Sequence, residues 1–287
     1  MKIYSIVVTY NPDVSELHKL IDLLQAQTAR VVVCNNSDWP LDLPDASVKL
    51  FNFGENLGIA EAQSIGMKWC FENGADFVLQ MDQDSVPTPT MVSELYKSHQ
   101  ALTGKGYRVG LIGVQDFDKE TLEENQARVR KGRAVPGTNY EIVPEILSSG
   151  SLIPKAAYEA VGGMEDGLFL DCVDFEYCWR LRREGFMVFK NADARLGHRL
   201  GEGRTKILGF LAVGRPAPIR HYYAFRNGLL LLRRSYAPTY WKLSTIAKLA
   251  FKLVFYPIFL DRGSVRLKFM LRGLWAGMSG EYGRIPE

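Results

Sequence analysis

The sequence predicts an α/β fold, a mainly parallel sheet flanked by helices, followed by a basic and aromatic helical extension at the C-terminal end. Two observations predict the sheet. Short apolar, β-branched runs alternate with segments of helical period, the pattern of strands joined by crossover helices. Several of these runs also stop at a polar cluster, and parallel sheets bind ligands beyond the carboxyl ends of their strands. A third observation predicts the extension. From Arg199 onward the chain holds 16 Lys and Arg against 4 Asp and Glu, whereas the first 198 residues hold 19 against 28.

Residues 3–9 read as a buried strand because they are apolar and rich in β-branched side chains. Asn11-Pro12-Asp13 turns the chain, and Leu17, Leu20, Ile21 and Leu24 mark one face of a helix. A second strand spans 31–34 and ends at Asn35-Asn36-Ser37; a third, short one lies near 48–51. A helix over 59–71 stops at Asn73-Gly74, a good C-terminal signal. The strand over 77–81 delivers Asp82, and 91–102 is again helical. From 116 to 145 the chain is polar and charged, with Gly132, Pro136 and Gly137, which predicts an insertion in the form of a hairpin or mobile loop. A strand resumes over 146–153, and a short helix over 155–161 closes at Gly162-Gly163. A helix over 174–184 is capped by Gly185, and a strand follows over 186–189.

A chain of 287 residues can bury a large core, and 47% hydrophobic content excludes wholesale disorder. The first residues enter a strand at once, without the apolar core and cleavage site of a signal peptide. Cys34, Cys70, Cys172 and Cys178 fall in no metal-ligand spacing, so reduced thiols in a cytosolic protein are expected. The segment 241–260 is rich in Leu, Phe and Tyr, but Lys242, Lys248, Lys252 and Pro257 make it a poor spanning helix. It reads equally as a basic amphipathic segment in the headgroup region and as a helical pair packed on the protein's own core. For a tail of this charge, nucleic acid and a phospholipid surface are both candidate partners.

No Gly-x-Gly-x-x-Gly or Gly-Lys-Ser/Thr loop is present, so a bound nucleotide needs its phosphates neutralised another way. Asp82 and Asp84, one residue apart at a strand terminus, can do so through Mg²⁺ or Mn²⁺. These hard cations take oxygen ligands and keep positions open for phosphate. An Asp-x-Asp pair alone is more often a solvated turn; the apolar strand before it, and Ser85 and Pro87 after it, raise its weight. Asp171-Cys172-Val173-Asp174-Phe175-Glu176 opens a helix and offers a general base for a hydroxyl. Taken alone, those acids are better explained by capping and dipole compensation. His198 is a candidate metal or phosphate ligand, although a lone histidine is usually structural. Arg220, His221, Tyr222, Tyr223, Arg226 and Asn227 form a basic-aromatic patch, either a solvated helix start or arginines that hold a diphosphate.

Together these residues resemble, in order and over most of the chain, the inverting glycosyltransferases of family 2, and within them the bacterial rhamnosyltransferases. The likeness runs through Val7-Val8-Thr9-Tyr10-Asn11, Asn35-Asn36-Ser37, Asn56-Leu57-Gly58-Ile59-Ala60 and Asp82-Gln83-Asp84-Ser85. It continues through Ser149-Gly150-Ser151-Leu152-Ile153, Phe169-Leu170-Asp171-Cys172-Val173-Asp174-Phe175-Glu176, His198 and Tyr222-Tyr223-Ala224-Phe225-Arg226-Asn227. The resemblance implies a GT-A type, Rossmann-like fold over 1–235, with a nucleotide-binding half over 1–115 and an acceptor half over 146–235. The helical segment over 236–287 is then membrane-associating.

By position, the resemblance implies that Thr9, Tyr10 and Asn11 line the nucleotide pocket, with Asn35 where the family often has a base-reading aspartate. Asn56 and Gly58 lie by the nucleotide or its phosphates, and Gln83 and Arg226 belong to the donor site. Asp82 and Asp84 match the metal motif, Asp84 as the direct ligand, and His198 completes the metal-diphosphate site. The family's Glu-Asp base motif falls on Val173-Asp174, which makes Asp174 the base. The implied donor is dTDP-L-rhamnose, with UDP-galactofuranose, UDP-galactose or UDP-glucose as the alternatives. A sugar nucleotidyltransferase is a more distant rival, since its glycine-rich, lysine-bearing loop is missing. The implied acceptor is a lipid-linked saccharide in polysaccharide synthesis at the cytoplasmic face of the inner membrane, and nucleic acid drops out as a partner.

Overall fold

The computed structural model describes residues 1–43, 45–119, 121–124, 132–198, 204–207 and 211–286; the side chains of residues 198, 204–207, 211 and 212 lie outside the described residues. Strand β1 (Ile3–Thr9) leads to helix α1 (Val14–Gln25), which starts where the Asp13 carboxylate accepts the Ser15 and Glu16 N–H groups. Strands β2 (Arg30–Asn35) and β3 (Val48–Asn52) follow, then α2 (Ile59–Glu72) and β4 (Phe77–Asp82). Next come the two-residue β5 (Val86–Pro87), helix α3 (Met91–Gly104) and the long strand β6 (Val109–Asp118). The polar stretch predicted as an insertion carries a hairpin of β7 (Arg133–Ala134) and β8 (Tyr140–Ile142). The strand expected over 146–153 is shorter, β9 (Ser151–Pro154), because Gly150 at φ +78° and a Ser151 Oγ bond to the Leu147 carbonyl hold the preceding residues in a turn. Helices α4 (Lys155–Val161) and α5 (Val173–Arg183) precede β10 (Met187–His198) and the hairpin of β11 (Arg204–Ile207) and β12 (Leu211–Gly214).

The main sheet runs β3-β2-β1-β4-β9-β6-β10-β8-β7, with β5 paired to β10. Strands β1 to β4 are mutually parallel, β10 is parallel to β6, and β9 runs antiparallel between β4 and β6. The carboxyl ends of six strands therefore share one edge. Side chains alternate across the sheet. Ile3 and Val7 join the core built with α1 and α3, whereas Tyr4 and Ile6 join the core built with α2, α4 and α5.

Three helices close the chain: α6 (Arg220–Leu232), α7 (Thr239–Phe259) and α8 (Gly263–Ser279). Helix α8 lies on α6 at glycine distance. A Cβ on Gly277 would stand 2.9 Å from the Arg226 carbonyl oxygen, and one on Gly273 would stand 3.0 Å from the Tyr222 Cα. Helix α7 packs Leu249 over Gly228 of α6. The C-terminal pair thus rests on the core, and it also leaves Leu243, Ile246, Val254, Ile258, Leu271, Trp275 and Met278 exposed.

Candidate active site

One side of the edge is built from neighbouring strand ends. Thr9 pairs in register with Asn35, Asn35 with Asn52, and Val8 with Asp82. Thr9 and Asn35 are fully buried. Asn35 Oδ1 accepts from Thr9 Oγ1 at 3.2 Å and from the Ser37 N–H at 3.0 Å. Its Nδ2 donates to Asn52 Oδ1 and the Trp39 carbonyl, both at 2.9 Å. An amide offers two acceptor and two donor positions, so Asn35 spends its whole capacity fastening strand ends together. Freeing one buried partner here costs about 1–3 kcal/mol, which makes Asn35 a brace.

In front of that brace the groups are open. Tyr10 is 53% exposed, and its backbone is held by Gln83, whose Oε1 accepts the Tyr10 N–H at 2.7 Å while Nε2 donates to the Tyr10 carbonyl at 3.2 Å. Asn11 sits at φ +46° with its N–H on Ser37 Oγ, and its Oδ1 accepts from Trp39 Nε1 at 3.0 Å. Trp39, 38% exposed beside Tyr10 and Asn11, is a residue the sequence does not single out. Its only signal there is a large aromatic just past a strand end.

Asp82 closes β4, and its N–H donates to Ser149 Oγ at 3.1 Å; the same oxygen lies 2.9 Å from Ser85 Oγ. This serine pair sets the turn that carries Asp82 and Asp84. Among the described residues, no three His, Cys, Asp or Glu side chains gather as a metal cage. His198 ends β10, next to Gly197, which pairs with Val86, so its backbone runs past the Asp84-Ser85 turn; its side chain lies outside the described residues.

Asn56 and Gly58 join this edge to the rest. Asn56 Oδ1 accepts the Gly58 N–H at 2.9 Å, and Asn36 holds both the Leu57 N–H and the Gly58 carbonyl. Gly58 has φ +86°, and a Cβ there would stand 2.6 Å from the Phe169 carbonyl oxygen. The next residue, Ile59, donates its N–H to that oxygen at 2.8 Å.

The other side begins with a 3₁₀ turn at Asp166–Leu168, after which Phe169, Asp171 and Cys172 all have φ between +61° and +65°. Non-glycine residues seldom take this conformation, and each instance costs of order 1–3 kcal/mol, so the loop must be held from outside. Arg226 and Asn227 hold it. Arg226 donates to the Gly167, Leu168 and Gly283 carbonyls, and Asn227 Nδ2 reaches the Leu168, Leu170 and Asp171 carbonyls. Both are fully buried. Arg226 is therefore not brought to the open edge; its guanidinium is spent on the loop, which Phe169 also fastens by stacking on Tyr223 at 5.0 Å.

The held loop delivers Asp174 at the start of α5, half-buried, with Oδ1 accepting the Phe175 N–H at 2.9 Å. Burial pushes its carboxyl up to about 7, against the pull of the Phe175 N–H and with help from the charges of Asp171 and Asp82. Asp82 and Asp174 come from segments 92 residues apart, and the charge of Asp82 still reaches Asp174. Asp171 is ion-paired to Arg220, the first residue of α6.

The mixed, mostly parallel sheet flanked by helices is the architecture of the GT-A glycosyltransferases. Solved structures agree on the fold. GalNAc-T7 with UDP, GalNAc and Mn²⁺ superposes with a TM-score of 0.57 at 14% identity over 88% of this chain, which spans 57% of the length of that one. S. aureus TarS 1–349 superposes with a TM-score of 0.55 at 14% identity, over 96% of this chain and 81% of that one. No family model matches the sequence. The dTDP-rhamnosyl transferase RfbF of Shigella flexneri is 30% identical over 288 residues, 97% of this chain and 95% of that protein. The low-salt glycan biosynthesis hexosyltransferase Agl10 of Haloferax volcanii is 21% identical over 197 residues, 64% of this chain and 62% of that protein. The chain belongs to the family of RfbF, the rhamnosyltransferase branch of glycosyltransferase family 2.

Proposed function

We propose that this enzyme moves L-rhamnose from dTDP-β-L-rhamnose to a hydroxyl of a lipid-linked saccharide in a single inverting displacement. The observation that carries the proposal is the half-buried carboxyl of Asp174 at the start of α5, raised to about 7 by burial and, less, by the charges of Asp171 and Asp82. A general base works best with a pKa near the operating pH. Asp174 takes the proton of the acceptor hydroxyl as that oxygen attacks the anomeric carbon from the face opposite the nucleotide. A β-linked donor then yields an α-linked rhamnoside. The family supports the donor, since RfbF, matched over 97% of this chain, is a dTDP-rhamnosyl transferase.

On the nucleotide side, Tyr10, Asn11 and Trp39 offer aromatic faces and a polar rim to a thymine base, and the Asn56–Gly58 turn offers backbone to the phosphates. Asp82 and Asp84, with His198, are the residues that would hold Mg²⁺ or Mn²⁺. Two carboxylates fit a hard cation, which takes oxygen ligands and leaves its remaining positions to substrate phosphates. Bound there, the cation supplies charge neutralisation for the leaving diphosphate.

No helix of the described residues is long and apolar enough to cross a membrane. The exposed apolar residues of α7 and α8, with Lys268 and Arg272 beside them, fit a surface that lies in the headgroup region at the cytoplasmic face of the inner membrane. The donor assignment is tested by thermal shift with dTDP and UDP in the presence of Mn²⁺, followed by NMR of the product linkage. Stabilisation by dTDP above UDP and an α-rhamnoside product are expected. A clear preference for UDP, or a retained configuration, would overturn it.

A further inference from the structure

Helices α6 and α7 build a cationic cluster that the donor chemistry does not use. Between Glu202 and Asp261 the sequence contains no Asp or Glu at all, while Arg220, Lys248 and Lys252 fall in that stretch. Lys248 and Lys252 stand one turn apart on α7, where like charges destabilise a helix. The row Thr245, Leu249, Tyr256 packs α7 against α6: Leu249 and Thr245 lie over Gly228, and the Tyr256 ring meets the His221 ring edge-on at 5.5 Å. This antiparallel packing brings Lys252 to the first turn of α6, with its Nζ 5.9 Å from the Tyr256 ring.

At that turn Arg220 is ion-paired to Asp171, three residues from the base. Lys252 feels Asp171, Lys248 and Arg220 together, and burial and the neighbouring cations hold its ammonium below the usual lysine range. Lys252, Arg266 and Arg220 help burial hold His221 down at about 4, so it adds no compensating charge of either sign near pH 7. Among the described residues neither lysine has an ion pair or a hydrogen bond, and Asp171 is the carboxylate that faces Lys252. Lys252 shares that one carboxylate with Arg220, and a partly desolvated ammonium without a counter-ion of its own is costly.

We infer that Arg220, Lys248 and Lys252 form an anion subsite on the acceptor side of Asp174, which takes the diphosphate that joins the acceptor saccharide to its lipid. This deepens the proposed function and rests on it. The subsite begins at the loop that carries the base, so the charged end of the acceptor docks close to the hydroxyl being glycosylated. It is separate from the Asp82-Asp84 turn that serves the donor.

The test is isothermal titration of geranyl diphosphate into the full-length protein saturated with dTDP and Mn²⁺, with geraniol as the uncharged control. Wild type is expected to bind the diphosphate and not the alcohol. The Lys248→Met/Lys252→Met variant is expected to bind it at least tenfold more weakly, with unchanged dTDP affinity. Its melting temperature should be held or raised, because removing a desolvated charge costs no packing; a purely structural role for the lysines would lower it. Equal diphosphate binding in wild type and variant overturns the inference. So does a variant that loses binding to phosphatidylglycerol vesicles while keeping the diphosphate, since the lysines then serve the lipid surface. Failure of dTDP to bind would instead strike the proposed function, and the two failures read out separately.

Discussion

The two sides of the sheet edge are held in opposite ways. On the nucleotide side, support is local. Thr9, Asn35 and Asn52 stand on adjacent parallel strands, and Asn35 bonds to its neighbours on either hand. On the acceptor side, the loop before α5 is strained at Phe169, Asp171 and Cys172, and its support arrives from far along the chain. Asn227 reaches back to Leu168 over 59 positions, and the Gly283 N–H donates to the Gly167 carbonyl. A rigid sheet edge suits the constant nucleotide of the proposed donor. An edge assembled by remote clamps places Asp174, the proposed base, independently of that site, so substitutions should separate donor binding from turnover.

The largest separation is expected at Asp174. Asp174→Asn keeps the side-chain oxygen that accepts the Phe175 N–H and removes only the base, so turnover should fall by a factor on the order of 100 or more while dTDP affinity holds. Steady-state kinetics with dTDP titration measures both. A near-normal turnover would remove Asp174 from its role. A smaller effect of the same kind is expected at the clamp. Asn227→Ala strands the Leu170 and Asp171 carbonyls, and should cost about 2–4 kcal/mol of stability by denaturant titration. Its turnover should drop with dTDP binding retained. Equal losses on both sides would mean that the two halves are not separable.

The same contrast decides what the sequence makes legible. The strand over 3–9 and the helix marked by Leu17, Leu20, Ile21 and Leu24 stand where periodicity puts them, with those four leucine and isoleucine residues buried. Asp82 arrives at the end of its strand as expected. Strand β6 escapes the pattern because Gly110 and Gly113 break its apolar run. The glycines are there because a Cβ on Gly110 would stand 2.7 Å from the Phe186 Cβ, a contact invisible in one dimension. Arg226 and Asn227 are legible as an unusual pair, but not as clamps. Their partners are backbone carbonyls more than 50 positions away, which leave no mark in residue identity. The charge of the tail is plain in the sequence, whereas the half-buried place of Lys252 beside the Tyr256 ring follows only from how α7 crosses α6.

The central claim is that the acceptor side carries a carboxylate poised as a base. The pH dependence of the initial rate, with both substrates well below their KM values, tests it most directly, because it reports groups of the free enzyme. Asp174 acts only when deprotonated, and burial together with Asp171 and Asp82 keeps its proton on until about pH 7. The rate should therefore rise about tenfold per pH unit from the acid side and level off near pH 7. The residual rate of Asp174→Asn should lack that limb. A wild-type profile flat from about pH 5 to 8, or the same limb in the variant, would contradict the account.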